Sequence, residues 1–506
     1  MHTALLLEMA AEAFPDRTAT GPIDGGVTCA ELAARARAGG VWLDGLDAIT
    51  VVFIGLNGPT LPVALFASAE IARPFAPLNY RLPDADLRKL LARTAPSVAI
   101  VDDDMVGRVR GVEGVILVTR SEFEAICLDP KNREAERPAA DHDVAVLLFT
   151  SGTTGEPKVA VLRHRHLASY VIATVEFMSA DEDEATLVSV PPYHVAGVAA
   201  ILTTLYAGRR LVYLPNFTPE AWVDLAAQEK ITQAMLVPTM LGRILDVLDV
   251  LERRGEHLPA LRSLSYGGGR MPQAVIERAM QVLPHVDFTN GYGLTETSST
   301  VAVLGPDDHR AAITSADPAV RRRLGSVGRP LPSVELEIRD PEGKVLGPNQ
   351  SGEVFVRGEQ ISGEYLHRKV ISDDGWFATH DAGWIDDEGY LFVEGRLDDV
   401  IVRGGENISP GEIEDVLRAH ASVADVAVLG LPDDQWGERV AAVVVCRGAQ
   451  PPTEELAGLV KSKLRSTKTP EVWEFRDALP YNDTGKLLRR QLRAEMTKPT
   501  ERLAAV

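Results

Sequence analysis

An α/β architecture is what the 506-residue sequence predicts: a large N-terminal domain of parallel α/β sheets with a β subdomain, then a small α+β C-terminal domain. Three observations carry this. Short apolar, β-branched runs alternate with amphipathic stretches from the N-terminus to about residue 300. Between 300 and 395 the pattern changes to residue-by-residue alternation punctuated by Gly and Pro. After 398 a compact helix–strand–strand–helix order follows.

Taken in order, residues 8–14 and 29–43 read as amphipathic helices. Residues 51–54, Val-Val-Phe-Ile, have the unbroken apolar character of a buried strand, and 61–71 reads as the helix after it. Residues 75–78 and 98–101 read as further strands around a helix at 84–91. The alternation resumes with strands at 186–190, 211–214, 233–237 and 263–266. Ligands of open α/β sheets bind at the carboxyl ends of strands, so the segments 191–197, 238–241 and 267–270 are expected to converge on one crevice. Strands at 334–338, 352–356 and 390–393, with turn signals at 341–343 and 347–349, make up the β subdomain, placed at about 302–394. The C-terminal unit reads as helix 410–420, strands 423–429 and 440–445, and helix 453–464. The boundary is placed between 397 and 398.

The formal net charge of −20 argues against nucleic acid as a partner while leaving nucleotides open, since a few local donors hold those. Cys29, Cys127 and Cys446 are too scattered for a disulfide framework or a zinc cluster. They read as small core residues, which suits a reducing, cytoplasmic compartment. The acidic runs 102–104 and 181–184 read as solvated loop caps. The first residues lack the basic flank of a secretory signal, and no stretch reaches the ~20 apolar residues of a transmembrane helix.

The chain is organised around residues 144–158. An apolar strand-like run, Val-Ala-Val-Leu-Leu-Phe, stops at Thr150-Ser151-Gly152-Thr153-Thr154-Gly155-Glu156-Pro157-Lys158. Gly152 and Gly155 let the backbone approach an anion closely, the hydroxyls of Thr150, Ser151, Thr153 and Thr154 add donors, and Lys158 supplies positive charge. The Walker pattern is not met, because Pro157 stands five residues after Gly152. Residues 149–158 instead resemble the phosphate loop of the acyl-adenylate-forming (AMP-binding) superfamily, which contains acyl-CoA synthetases, peptide-synthetase adenylation domains and luciferase. The resemblance implies that this loop holds the β- and γ-phosphates of ATP. Val159 stands where the family usually has Gly.

Further motifs follow in the family's order across essentially the whole chain. Asn290-Gly291-Tyr292-Gly293-Leu294-Thr295-Glu296-Thr297 resembles its second signature. That implies Tyr292 and Gly293 against adenine, Thr295 on the α-phosphate, and Glu296 with Thr150 holding Mg²⁺. Gly268, Gly269 and Arg270 match a nucleotide-side segment. Asp381 matches the ribose-binding aspartate and Arg396 a nucleotide-contacting arginine, while His380 stands where Gly is usual. Residues 480–486, Pro-Tyr-Asn-Asp-Thr-Gly-Lys, resemble the C-terminal catalytic motif. A single ammonium on Lys486 between the attacking carboxylate and the α-phosphate would cancel their repulsion.

Amino-acid-activating relatives place an Asp in the segment matched by 191–197, where this chain has His194 and no acid. A buried ammonium without a counter-ion is costly, so an α-amino acid is disfavoured. A fatty or other apolar acid is expected, its carboxylate near His194 and its tail along Val195, Ala196, Ala199, Ala200 and Ile201. Residues 403–414 resemble the acyl-CoA synthetase form of the loop after the hinge, which implies a pivot at Asp398 and a pantetheine channel past Gly404, Gly405 and Glu406. The implied function is an ATP-dependent acid–thiol ligase using Mg²⁺ and coenzyme A in fatty acid or other lipid metabolism, with a homodimer left open. An acyl-adenylate former that loads a carrier protein, and a non-catalytic acyl or nucleotide binder, remain as alternatives.

Overall fold

The computed structural model describes residues 1–129, 131, 143–150, 157–250, 258–481 and 487–497. Two large sheets form the body. In one, the strands run in the order Arg368–Lys369, Glu364–Tyr365, Lys158–Arg163, Val144–Thr150, Phe75–Pro77, Thr50–Ile54, Ser97–Val101 and Val115–Thr119. The last five are parallel, and the first three extend the sheet antiparallel. The second sheet has nine strands, among them Ala185–Val188, Gln233–Leu236, Ser263–Gly267 and Asp287–Leu294, all mutually parallel. Thr50–Ile54 and Ser97–Val101 of the first sheet are buried throughout, and apolar beyond their first residue, because helices cover both faces. Gln233–Leu236, Ser263–Gly267 and Asp287–Leu294 of the second instead alternate buried with half-buried residues or leave their ends half-buried.

The largest core lies between these sheets. Val51 and Phe53 of one meet Val188 and Leu211 of the other through the helices Cys29–Asp44, Thr60–Glu70 and Val195–Ala207. Thr60–Glu70 is buried along all of its length, so it carries no amphipathic stripe and was legible only from its apolar content. Cys29–Asp44 starts at a capping box in which Thr28 and Glu31 satisfy each other's backbone N–H groups.

The β subdomain is a four-stranded antiparallel sheet, Val334–Arg339, Gly352–Gly358, Phe377–Ile385 and Leu391–Arg396. The C-terminal domain folds on a separate core, with Ile401, Ile413, Val428 and Val444 fully buried in it. Its sheet joins Glu406–Ile408, Ile401–Arg403, Gly437–Cys446, Val423–Asp433 and the parallel strand Val472–Arg476. Among the described residues, no helix is long and apolar enough to cross a membrane.

Two readings of the acidic runs are corrected. Asp102 is buried, accepts from the Leu56 N–H at 2.8 Å and pairs with Arg120 at 2.6 Å. Gly55 leaves the room for it, since a Cβ there would lie 2.2 Å from the carboxylate. Glu184 is likewise drawn inward by Arg209 at 2.6 Å, while Asp181, Glu182 and Asp183 stay exposed as expected. Cys29 and Cys127 are buried, which pushes their thiols up to about 11 and about 12, so both are inert at neutral pH.

Candidate active site

The strand Val144–Thr150 delivers Thr150 to the end of its sheet, where it pairs with Lys158 at the start of the returning strand. The Thr150 hydroxyl reaches the Lys158 carbonyl at 3.4 Å. The expected phosphate-loop residues Ser151, Gly152, Thr153, Thr154 and Gly155 lie outside the described residues, as does Lys486. Val159, at the position where the family has Gly, is a buried strand residue whose carbonyl accepts from the Leu366 N–H at 3.0 Å.

The strand Asp287–Leu294 carries Tyr292 and Gly293 to the same end of the second sheet and runs into a 3₁₀ turn, Thr295–Thr297, holding Thr295 and Glu296. Gly293 is required there, because a Cβ would fall 1.8 Å from the Ser299 carbonyl across the bulged pairing. Tyr292 donates its hydroxyl to Asp381 Oδ2 at 2.6 Å, although 89 residues separate them. Burial first, and the Asp381 charge second, push this phenol well above its ordinary range, so it stays protonated and keeps donating. Asp381 is buried in the strand Phe377–Ile385, opposite Arg396, whose Nε stands 3.3 Å from the other carboxylate oxygen. Arg396 is aimed by a 2.6 Å bond from its Nη1 to the Thr379 carbonyl. Beside Asp381, His380 holds φ +58, the left-handed backbone that explains why Gly is usual there.

Glu296 is buried and accepts from the Tyr365 hydroxyl at 2.6 Å, while its backbone carbonyl accepts from Ser362 and Gly363 N–H groups. Burial first, then the Glu296 charge, raises the Tyr365 phenol, which therefore also remains a donor. Lys158 Nζ lies 5.3 Å from the Tyr365 ring centroid. Tyr365 thus lies between Lys158 and Glu296, and the positive field of Arg396 reaches it as well. Sequence reasoning missed Tyr365. It sits in a two-residue strand, Glu364–Tyr365, too short to show any periodicity.

The remaining expected residues fall in three places. His194 caps the helix Val195–Ala207, with its ring 4.8 Å from that of Tyr193. Val195, Ala196 and Ala200 are half-buried against the main core, whereas Ala199 and Ile201 are fully within it, so only the first three face outward from it. Gly268 takes φ +74 directly after Ser263–Gly267, and Arg270 leaves that turn to bond Asp415 of the C-terminal domain at 2.6 Å. Gly404 and Gly405, both at positive φ, form a two-residue hairpin turn between Ile401–Arg403 and Glu406–Ile408. Their conformation alone demands glycine, a reason additional to the expected narrow channel. Glu406 pairs with Arg465 at 3.6 Å, and Asp398 lies exposed in the 3₁₀ turn Leu397–Asp399.

A divalent cation fits this donor set in one specific way. Among the described residues, no group of three or more His, Cys, Asp or Glu side chains could hold a metal alone. Mg²⁺, however, typically takes one or two carboxylates and completes its shell with substrate phosphates and water. Glu296, with Thr150 at the neighbouring strand end, supplies oxygen donors of that kind.

The comparisons with known proteins agree with this geometry. The model of the AMP-binding enzyme family matches residues 7–366, and that of the AMP-binding enzyme C-terminal domain matches 412–486. An indoleacetate–CoA ligase of Aromatoleum aromaticum is 32% identical over 472 residues, covering 89% of each chain. A fatty acid–[acyl-carrier-protein] ligase of Streptomyces coeruleorubidus is 33% identical, covering 88% of this chain and 86% of the relative. The crystal structure of ATP-bound MatB from Rhodopseudomonas palustris superposes with a TM-score of 0.86 at 27% identity, over 98% of this chain and 99% of that one. With both family models matched in order over most of its length, the chain belongs to the AMP-binding enzyme family.

Proposed function

We propose that this enzyme is an ATP-dependent carboxylic acid–CoA ligase that works through an acyl-adenylate. The observation that carries the reading is the meeting of Tyr292, Asp381 and Arg396 at the end of the Asp287–Leu294 strand, one turn from the buried Glu296. Asp381 is an acceptor suited to ribose hydroxyls, and Tyr292 presents a ring already fixed by its own hydrogen bond. In the first step the acid's carboxylate oxygen attacks the α-phosphorus, the bond to the bridging oxygen breaks, and pyrophosphate leaves. Charge spreads over phosphoryl oxygens, so positioning and cations supply most of the acceleration. Thr295 and Lys486 are assigned to the α-phosphate, and Lys158 to the leaving phosphates. Mg²⁺, when bound by Glu296 and Thr150, would neutralise phosphate charge. In the second step the CoA thiol, losing its proton, attacks the acyl carbon and AMP departs. A pivot at Asp398 would exchange Lys486 for the Gly404–Glu406 turn between the steps.

An apolar acid suits the half-buried Val195, Ala196 and Ala200 beyond His194, with no acid in that segment to pair an ammonium. The relatives widen the original expectation of a fatty acid, since one is named for an aryl acid. A carrier protein as acceptor is the second reading, favoured by the name of the other relative. Exchange of labelled pyrophosphate into ATP, screened over aryl and fatty acids, tests the adenylation. Adding CoA or a holo-carrier then separates the acceptors. Exchange with no acid of either class would reject the proposal.

A further inference from the structure

Arg270 leaves the glycine turn of the cleft wall and lies across the C-terminal domain. Its Nη2 donates to Asp415 Oδ2 at 2.6 Å, and the guanidinium covers Gly411, where an added Cβ would fall 2.0 Å from Nη1. Both small-domain residues belong to one helix, Pro410–Arg418, whose preceding Ser409 also donates to the Glu394 carbonyl of the body at 3.0 Å. Behind this contact sits a charge cluster. Arg418 stands 3.9 Å from both Glu414 and Asp415 and 3.4 Å from Asp425. Glu414 accepts from Arg489 at 2.6 Å, and Asp425 accepts from the Tyr481 hydroxyl at 2.5 Å. Tyr481 and Arg489 flank Lys486 in the sequence. They are tied to acids that share Arg418 with Asp415.

We propose that Arg270 and Asp415 form an interdomain clasp that positions the small domain for adenylate formation, so that Arg270 is a positioning residue in addition to any role toward the nucleotide. Three features favour this assignment. The clasp joins the Gly268–Gly269 side of the crevice to the cluster that holds both flanks of the segment assigned to the α-phosphate. Gly411 gives the guanidinium a seat that a Cβ would fill, so a larger residue there must push Arg270 aside. With the clasp made, the Gly404–Gly405 turn is not packed on the described residues of the body: among the described residues a Cβ on Gly405 would meet nothing within 4 Å, and one on Gly404 would meet Trp436 of the same domain. The turn assigned to the thiol step is therefore disengaged while the clasp is closed. Breaking the clasp must precede the second half-reaction.

The proposal rests on the two-step ligase reading, and its test separates the two. Asp415→Ala and Gly411→Ala break the clasp from the small-domain side, without touching Arg270. Both are expected to slow acid-dependent pyrophosphate exchange at least tenfold in kcat, with KM for ATP within twofold of the parent. Thioester formation from supplied acyl-adenylate should be unchanged or faster. The charge-swapped pair Arg270→Asp with Asp415→Arg should recover at least threefold of the exchange lost in Arg270→Asp. Equal loss in both half-reactions, or no loss in exchange, overturns the clasp. Distances between spin labels at Ile49 and Glu454, both exposed, give a readout free of substrate. Asp415→Ala should broaden that distribution in the protein alone, and an unchanged distribution overturns the clasp. Should the parent itself show no exchange with any acid, the ligase reading fails, and the label distances still decide the clasp.

Discussion

His380 occupies left-handed backbone at φ +58 next to the buried Asp381, its exposed ring bonded to Glu353 at 3.0 Å. Histidine is among the few non-glycine residues enriched in that conformation, whereas a β-branched side chain clashes there. His380→Val is therefore expected to destabilise the protein by about 1–2 kcal/mol, read from chemical denaturation. His380→Gly should stay within about 0.5 kcal/mol of the parent, because relieved strain offsets added chain entropy. One position on, Asp381 accepts from Tyr292 and faces Arg396. Asp381→Ala should raise KM for ATP by roughly tenfold or more, since a ribose acceptor and the restraint on the Tyr292 ring are lost together. The meeting of Asp381 and Tyr292 in one place was legible because each falls in a motif that resembles the same family. Arg270 was legible only as a neighbour of the glycines: its partner lies 145 residues away on a helix whose docking no local pattern encodes.

Elements differ in how openly the sequence announces them. Strands such as Thr50–Ile54 and Ser97–Val101 were readable to within about two residues, because burial on both faces demands unbroken apolar runs. The mostly half-buried parallel strands Val115–Thr119 and Asp287–Leu294 were not read. Nor was the strand Phe377–Ile385, although it is central in its sheet. Thr379, His380 and Asp381 interrupt its alternation with polar side chains that bond the Val354 carbonyl, Glu353 and Tyr292. The late strand Val472–Arg476 is half-buried throughout and carries two charged residues, so it too gave no signal. The N-terminal helix Ala4–Ala13 is anchored by a buried contact that responds to pH. His2 stacks on His164 at 3.6 Å, and Thr3 donates its N–H and hydroxyl toward His164 Nδ1, fixing a neutral ring. Burial first, then His2 and the terminal ammonium, lowers His164 to about 3, and burial with two nearby arginines lowers His166 to about 4. The folded state thus binds these protons less readily than the unfolded chain, whose histidines titrate near 6.5. Their stability contribution is full above pH 6.5 and is lost as pH falls towards 3–4. By pH 5 each should have cost about 2 kcal/mol, and His164→Asn should flatten the fall in denaturation midpoint between pH 7 and 5.

At the scale of the whole molecule, two bodies with separate cores meet beside one cleft. The link between them, Leu397–Asp399, is a single exposed 3₁₀ turn. If Asp398 is the pivot, Asp398→Pro should spare the adenylation arrangement and impede the rotation. Thioester formation should then fall at least fivefold more than pyrophosphate exchange, measured on separate half-reactions. On the proposed ligase reading, a stable acid becomes a mixed anhydride with AMP before any thiol arrives. Mass spectrometry of the enzyme incubated with ATP, Mg²⁺ and an accepted aryl or fatty acid, without CoA, tests this most directly. Acyl-AMP in stoichiometric amount, converted to acyl-CoA and AMP when CoA is added, is the predicted result. Acyl-CoA formed with no acyl-AMP detectable at any time, or ATP cleaved to ADP, would contradict it.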